Sequence, residues 1–92
     1  MDRNQPTIVQ ALRKAGASVQ PLHTVGRGCP DILVGFRGIN YLFEIKDPLQ
    51  PPSARVLTKA EADWHAEWRG MVRVVETAED AFRALGICLS VE

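Results

Sequence analysis

The sequence predicts an α/β fold, in which a mixed β-sheet is flanked by helices. Helical and β-rich stretches alternate along the chain in the order α-β-β-β-α-β-α. Two of the β-rich stretches follow each other across a short Gly-containing turn, which is typical of a β-hairpin. The chain has 92 residues, enough for one compact domain with a single core. We therefore expect one domain spanning 1–92.

The composition is that of an ordinary globular protein. Hydrophobic residues make up 46% and charged residues 24%, which argues against a disordered chain. Lys+Arg and Asp+Glu both number 11, so the formal net charge is zero. The overall charge therefore gives no sign of nucleic-acid or membrane binding, and any basic surface must be local.

Targeting signals and metal-binding cysteines are missing from the sequence pattern. No apolar run approaches the roughly 20 residues of a membrane span. The N-terminal MDRNQPTIVQ has neither a basic region nor a following apolar stretch, so no secretory signal is predicted. Cys29 and Cys88 lack a CxxC or Cys/His pattern, which indicates reduced thiols in a cytoplasmic protein.

The first predicted elements are a helix and a short strand. The helix covers 6–15, because apolar residues recur at helical spacing, at Ile8, Val9, Leu12 and Ala15. Asn4 or Gln5 is expected to cap this helix. The strand follows over 18–24, and Pro21 indicates that it is broken or lies at the sheet edge.

A hairpin and a proline-rich loop follow. The β-rich runs DILVGF (31–36) and YLFEIK (41–46) are joined by RGIN (37–40), which is predicted as the turn. The Gly-rich VGRGCP (25–30) precedes the hairpin as a loop. KDPLQPPSAR (46–55) contains three prolines and is predicted to have no regular structure.

The last part of the chain carries capping signals. Thr58 and Glu61 form a capping-box pattern, and Thr77 is placed to cap a further helix. The elements predicted here are a helix from Thr58 to about Arg69, a strand over 71–75, a helix from Thr77 to Leu85, and a terminal strand at 87–91.

The ionisable groups of the hairpin fall on one face. With RGIN as the turn, the predicted opposed pairs are Phe36 with Tyr41, Leu33 with Glu44, and Asp31 with Lys46. Side chains alternate faces along a strand, so Asp31, Glu44 and Lys46 share a face. The other face is wholly apolar or aromatic, and carries Ile32, Val34, Phe36, Tyr41, Phe43 and Ile45.

This cluster has the composition of a site for phosphodiester hydrolysis. Diagonal neighbours on a sheet lie about 7 to 8 Å apart, so Asp31 and Glu44 can converge on one hard cation. The backbone carbonyl of Ile45 could complete the metal site. Such a cation lowers the pKa of bound water and neutralises a phosphate. Lys46 can orient the water or stabilise negative charge in the transition state.

A purely structural interpretation stays open beside this one. Asp31 and Lys46 would then be a cross-strand ion pair at the rim of the sheet. That interpretation leaves unexplained why Glu44 joins them on a strand whose other face is core. It also predicts that Asp31→Asn mainly lowers stability.

At these residues the sequence resembles the PD-(D/E)XK nuclease superfamily, through Pro30-Asp31 and Glu44-Ile45-Lys46. More narrowly it resembles the VRR-Nuc family in its minimal, stand-alone phage and bacterial form. Segments that carry this resemblance are IVQALRKAGASV, GRGCPDILVG, YLFEIKD, PPSARVLT and WHAEWRG. The resemblance implies a restriction-endonuclease-like core and DNA cleavage that depends on Mg²⁺ or Mn²⁺.

The resemblance also assigns roles and partners. Asp31 and Glu44 would be metal ligands, Ile45 would lend its carbonyl, and Lys46 would be the catalytic lysine. The family implies a homodimer that cuts branched DNA such as four-way Holliday junctions, since a two-fold axis places two sites on opposite strands. The alternative is a catalytically weak or inactive module that binds DNA or a partner protein.

Two positions depart from the family pattern. Thr7 stands where the family often has a glutamate, which would thin the metal shell. Glu61 stands where a glutamine is usual, and is either an accessory site residue or only the acid of the capping box. These substitutions bear on activity and metal preference more than on the fold.

Several other side chains are candidates for contacts with DNA or a partner. The cations expected to contact phosphates are Arg27, Arg55, Arg37 and Lys59, with Arg27 and Arg55 nearest the proposed site. Trp64 and Trp68 lie on one stripe of the second helix with Glu61, and are predicted to be core or dimer-interface aromatics. A base-stacking role is the alternative for them.

Overall fold

The computed structural model of the protein describes residues 2–87. Its elements are α1 (Gln5–Lys14), β1 (Ser18–Pro21), β2 (Ile32–Phe36), β3 (Ile39–Ile45), α2 (Lys59–Glu67), β4 (Val72–Val75) and α3 (Ala78–Ala84). The predicted element order is confirmed, and each bound lies within about three residues of its prediction. The proline-rich loop is less irregular than predicted, because it contains a short 3-10 helix at Pro52–Ala54. The predicted strand at 87–91 lies outside the described residues, apart from Ile87.

The four strands form one mixed sheet in the order β1-β2-β3-β4. The pairs β1–β2 and β2–β3 are antiparallel, whereas β3 and β4 are parallel. A parallel pair needs a long crossover connection, and α2 lies in the connection between β3 and β4. At the other side, β1 is the edge of the described sheet, which is where Pro21 is tolerated. The predicted α/β class with a mixed sheet flanked by helices is confirmed.

The hairpin turn is tighter than predicted. Phe36 pairs with Ile39, so the loop consists of Arg37 and Gly38 alone. Both have positive φ, 51° and 82°, as a type I′ turn requires. This turn matches the twist of the two strands, and it forms in place of the predicted four-residue turn RGIN.

The predicted pairing register is therefore wrong by two residues. The pairings of Phe36 with Tyr41, of Leu33 with Glu44 and of Asp31 with Lys46 are replaced. The observed pairs include Ile32 with Phe43, Leu33 with Leu42, and Val34 with Tyr41. Counting outward by one residue then places Asp31 opposite Glu44. Because the shift is an even number of residues, every side chain stays on its predicted face.

The apolar face of the sheet forms the core as predicted. Its hairpin residues, all buried, are Ile32, Val34, Phe36, Tyr41, Phe43 and Ile45. On this core lie buried side chains of α1 (Ile8, Val9 and Leu12), Ala81 of α3, and Leu85 directly after α3. The hairpin is therefore held firmly from one side, so the acidic side chains at its end project from a rigid support.

The second helix lies at the acidic end of the hairpin. Its predicted capping box is present: the Thr58 hydroxyl accepts from the Glu61 N–H at 3.2 Å, and the Glu61 carboxylate accepts from the Thr58 N–H at 2.9 Å. A Cβ on Gly28 would overlap with the carbonyl of Ala60. The loop before Asp31 therefore touches the first turn of α2 backbone to backbone. None of the helices in residues 2–87 is long and apolar enough to cross a membrane.

Candidate active site

Asp31 is held by the backbone of the neighbouring strand. Its N–H donates to the Phe43 carbonyl at 3.0 Å, and its Oδ2 accepts from the Ile45 N–H at 2.7 Å. The side chain thus accepts from a β3 N–H at a position just before the first residue of β2, where the regular ladder ends. These two bonds fix the direction of the carboxylate at the end of the hairpin.

Glu44 is a buried acid beside Asp31. Only 2% of the residue is exposed, and its Oε1 has no hydrogen-bond partner among the described residues. Burial is the largest cause that raises the pKa of Glu44 to about 9, followed by the hydrogen bond and charge of Asp31. The charge of Glu61 raises it further, and Lys46 opposes these effects more weakly. Burial and the neighbouring acids therefore favour the protonated form of Glu44 when no cation is present.

Lys46 follows β3 directly and is 7% exposed. Its N–H donates to the Val75 carbonyl at 3.0 Å, while its Nζ lies 2.8 Å from Glu61 Oε1 and 3.9 Å from Glu44 Oε2. Burial acts to lower the pKa of Lys46, but the hydrogen bond and charge of Glu61, then the charges of Glu44 and Asp2, raise it overall. The site therefore contains a fixed ammonium cation.

Glu61 takes part in both roles that the sequence left open. Its Oε1 accepts from the Thr58 N–H of the capping box and from Lys46 Nζ. Burial acts to raise the pKa of Glu61, but the hydrogen bonds from Lys46 and Thr58 outweigh it and lower the pKa overall. An ionised Glu61 therefore links the start of α2 to the buried lysine.

Comparison with solved structures gives a match over most of the chain. A solved structure described as "VRR_NUC domain" has 26% sequence identity to the chain, covers 91% of each of the two chains and gives a TM-score of 0.66. This chain has the fold of a VRR-Nuc domain. The resemblance drawn from the sequence is confirmed by this match. No protein-family model and no curated protein matches the chain.

Within the VRR-Nuc fold of this chain, the acids and the lysine of the predicted site lie together. The structure brings Asp31, Glu44, Lys46 and Glu61 together at one end of the hairpin. Their roles in catalysis and metal binding remain predictions. Thr7 is exposed and lines a groove of about 340 Å³ with Asp47 and other residues of the loop and of α3.

The metal-binding potential of the cluster depends on few side chains. No group of three or more His, Cys, Asp or Glu side chains suited to a metal occurs within residues 2–87. The expected ligand set is smaller, because it consists of Asp31, Glu44 and the Ile45 carbonyl. The buried Oε1 of Glu44 without a partner fits a cation site, since a buried carboxylate oxygen is costly unless it is paired. Carboxylate and carbonyl oxygens are also the donors that Mg²⁺ and Mn²⁺ take.

Three neighbours of the site were not predicted. Asn4 does not cap α1 with its side chain; instead Nδ2 donates to the Lys46 carbonyl at 3.0 Å and to the Glu76 carbonyl at 2.8 Å. The charge of Asp2 contributes to the raised pKa of Lys46. Burial raises the pKa of the Cys29 thiol, and the charges of Glu44 and Asp31 raise it further. Asn4 makes these bonds across 42 and 72 positions of the chain, so no local pattern could have shown them.

The predicted DNA-contacting cations are spread over the surface. Arg27 and Arg37 are exposed, and Arg37 stacks over the Phe36 ring at 4.8 Å. Arg55 lies 3.8 Å from Glu76 Oε2, and Lys59 pairs with Asp63 at 2.8 Å. Arg27 lies in the loop that leads into Asp31, whereas Arg37 lies at the far end of β2.

Trp64 of α2 and Trp68, which directly follows the helix, do not lie in the core. Their rings stack on each other, with centroids 4.6 Å apart and an interplanar angle of 19°. Trp68 is 45% exposed and Trp64 is half-buried. The prediction of core aromatics is therefore wrong, because α2 has no buried residue. Roles in a dimer interface or in base stacking stay predictions.

Proposed function

We propose that the protein is a metal-dependent DNA endonuclease that hydrolyses phosphodiester bonds in branched DNA as a homodimer. The observation that carries the proposal is the strand register, which places Asp31 opposite Glu44, beside the buried ammonium of Lys46. The VRR-Nuc fold adds support, because the similar solved structure is described as "VRR_NUC domain" and this name indicates a nuclease-type domain.

Asp31 and Glu44 would hold Mg²⁺ or Mn²⁺, together with the Ile45 carbonyl. The Ile45 N–H points to Asp31, and a strand residue directs its N–H and C=O toward the same neighbouring strand, so this carbonyl is expected on the Asp31 side. When bound, the cation supplies charge neutralisation at the phosphate and a water of lowered pKa. The apolar core beneath the hairpin keeps both carboxylates in place.

Lys46 supplies a fixed positive charge next to the acids. Its ammonium donates to Glu61, and further N–H bonds remain for a water or a phosphate oxygen, since an ammonium carries three donors. Such a donor orients the attacking water or stabilises charge that develops on the phosphate in the transition state. The surrounding acids keep Lys46 protonated, so it acts as a cation rather than as a base.

Substrate and assembly follow from the family resemblance. Four-way junctions present two strands to be cut at related positions, and a homodimer offers two sites related by a two-fold axis. Arg27, Arg55, Arg37 and Lys59 are the proposed phosphate contacts, and Arg27 and Arg55 are the first choices. A cytoplasmic location in a bacterial or phage-infected cell goes with this proposal. Sedimentation analysis, free and with junction DNA, tests the dimer.

Cleavage of a panel of DNA structures tests the proposal. Four-way junction, flap, single-stranded and duplex DNA are each incubated with Mg²⁺ or Mn²⁺. The wild type is expected to cut the junction, whereas Glu44→Gln and Lys46→Ala lose at least about 100-fold in rate. The matched control is Glu67→Gln, an exposed acid on α2, which keeps wild-type activity. Equal cleavage by all four proteins would contradict the proposal.

The alternative proposal is a VRR-Nuc module that binds DNA or a partner without cutting it. It is favoured by Thr7, which stands where the family often has a glutamate and would leave the metal shell one acid short. Junction binding without cleavage under every metal condition would support it.

A further inference from the structure

The tightest contact of the buried lysine is made outside the proposed metal ligands. Lys46 Nζ lies 2.8 Å from Glu61 Oε1 but 3.9 Å from Glu44 Oε2. The first distance is a charge-assisted hydrogen bond, whereas the second is too long for one. The direction of the ammonium is therefore set by Glu61, a residue of α2, and not by Glu44 of β3.

The same oxygen also closes the helix. Glu61 Oε1 accepts from the Thr58 N–H at 2.9 Å, which completes the capping box. A residue that only capped the helix would not need to contact a lysine that lies 15 positions earlier, directly after β3. One carboxylate oxygen therefore joins the first turn of α2 to the centre of the site.

The second helix has few other attachments. No residue of α2 is fully buried, so the helix is not anchored by core side chains as α1 is. Its first turn meets the site through the Glu61–Lys46 bond and through the backbone contact between Gly28 and Ala60. Both contacts lie at the start of α2.

We infer that Glu61 is the positioning residue for Lys46, and that the start of α2 and the lysine are set in place as one unit. The effect of Glu61 on catalysis rests on the proposed function, whereas the orientation of Lys46 by Glu61 does not depend on it. Glu61 touches neither substrate nor cation in this assignment. It acts through the ammonium that it orients.

Three variants separate positioning from helix capping. Glu61→Ala removes the acceptor for both Lys46 and Thr58. Glu61→Gln keeps a carbonyl oxygen that can accept from both and removes only the charge. Thr58→Ala weakens the capping box and leaves the bond between Glu61 and Lys46 intact.

The first readout is the ammonium signal of Lys46 in the metal-free, ¹⁵N-labelled full chain. The chain has only the lysines Lys14, Lys46 and Lys59. Lys14 and Lys59 are exposed, so Lys46 is expected to give the one ammonium signal protected from fast exchange with water. We expect this signal in the wild type, Glu61→Gln and Thr58→Ala, and its loss in Glu61→Ala.

The second readout is the kinetics of junction cleavage with Mn²⁺. Removing a group that orients an active-site residue typically costs about 10- to 100-fold. Glu61→Ala is expected to lose this factor in kcat with KM unchanged, and Glu61→Gln to recover activity to within about 5-fold. Thr58→Ala should lower the Tm, by an amount typical of a lost cap, while kcat stays within about 2-fold.

Two outcomes would overturn the inference. One is a protected Lys46 signal that persists in Glu61→Ala. The other is a loss of kcat in Glu61→Ala and Thr58→Ala that simply follows their loss of Tm, as a structural role requires. If the wild type cuts no DNA, the proposed function fails, and the Lys46 signal alone then decides whether Glu61 positions the lysine.

Discussion

The Asp31 carboxylate accepts a hydrogen bond from the Ile45 N–H at 2.7 Å, across the end of the hairpin. This bond gives Asp31 a structural role in addition to the proposed metal-binding role. The cross-strand ion pair between Asp31 and Lys46 that the sequence allowed is not present, because the register places Asp31 opposite Glu44.

The two roles of Asp31 can be separated by a pair of variants. Asp31→Asn keeps an oxygen that can accept from Ile45, whereas Asp31→Ala does not, and both remove the charge. We expect Asp31→Ala to be less stable than Asp31→Asn by about 1 kcal/mol, since it leaves a partly buried N–H unpaired. Urea unfolding in EDTA measures the difference. Equal stability of the two variants would show that the bond to Ile45 contributes nothing.

The raised pKa of Glu44 predicts how stability depends on pH without metal. The folded state holds this proton up to about pH 9, whereas the unfolded chain releases it near 4.5. Glu44 therefore stabilises the fold fully below the lower value, and this stability is lost as pH rises toward the higher one. The free energy of unfolding should fall by up to about 1.4 kcal/mol per pH unit in between.

Glu44→Gln removes this titration. Unfolding by urea between pH 5 and about 9, in EDTA, should show the variant gaining on the wild type as pH rises. Glu67→Gln, at an exposed position of the same protein, is the matched control and should run parallel to the wild type. If Glu44→Gln also runs parallel to the wild type, the pKa of Glu44 is not raised in the folded state.

The contact between Gly28 and α2 can be tested against a neighbouring glycine. Gly26 and Gly28 have similar positive φ values, 72° and 82°, so alanine is strained at both. A Cβ at Gly26 meets nothing within 4 Å, whereas one at Gly28 overlaps with Ala60. Gly28→Ala should therefore cost about 1 kcal/mol or more beyond Gly26→Ala and lower cleavage more strongly. Thermal unfolding and junction cleavage measure both effects, and equal losses in the two variants would argue against close packing of α2.

Two arginines allow a matched test of the DNA path. Arg27 and Arg37 are both exposed and both have positive φ, 57° and 51°, so glycine relieves similar strain at each. Arg37 directly follows Phe36, which lies at the far end of β2, roughly 17 Å from Asp31 at the usual rise per residue.

Arg27→Gly is expected to weaken junction binding and to reduce the salt slope of log K by about 0.9, the value for one phosphate contact. Arg37→Gly should change both less. Fluorescence anisotropy over a range of salt concentrations measures the slopes. A larger effect at Arg37 than at Arg27 would place the DNA along the hairpin turn instead of at the acidic end.

Much of the fold could be predicted because its signals are local. Helical spacing in α1, the capping patterns at Thr58 and Thr77, and alternation along the hairpin each depend on near neighbours, and the structure contains all of them. The faces of β2 and β3 were right although the register was wrong, since a shift of two residues preserves alternation. The turn was misjudged because Arg37 is not a residue that usually marks a positive φ.

The site was predictable only in part. Asp31, Glu44 and Lys46 stand close in the sequence and come together through one hairpin. The bonds that orient them come from elsewhere: Asn4 holds the Lys46 carbonyl, and Glu61 holds the Lys46 ammonium. Such contacts depend on the packing of α1 and α2 against the sheet, which no single-sequence pattern specifies.

Calorimetric titration with Mn²⁺ tests the central claim most directly, because it asks whether Asp31 and Glu44 bind one cation. The wild type, Asp31→Asn, Glu44→Gln and the control Glu67→Gln are titrated at pH 8, each with and without junction DNA. We expect one site per chain in the wild type and in Glu67→Gln, and affinity at least about tenfold weaker in the other two variants. Equal binding by all four proteins, or no binding by the wild type even with DNA present, would contradict a metal-dependent nuclease site.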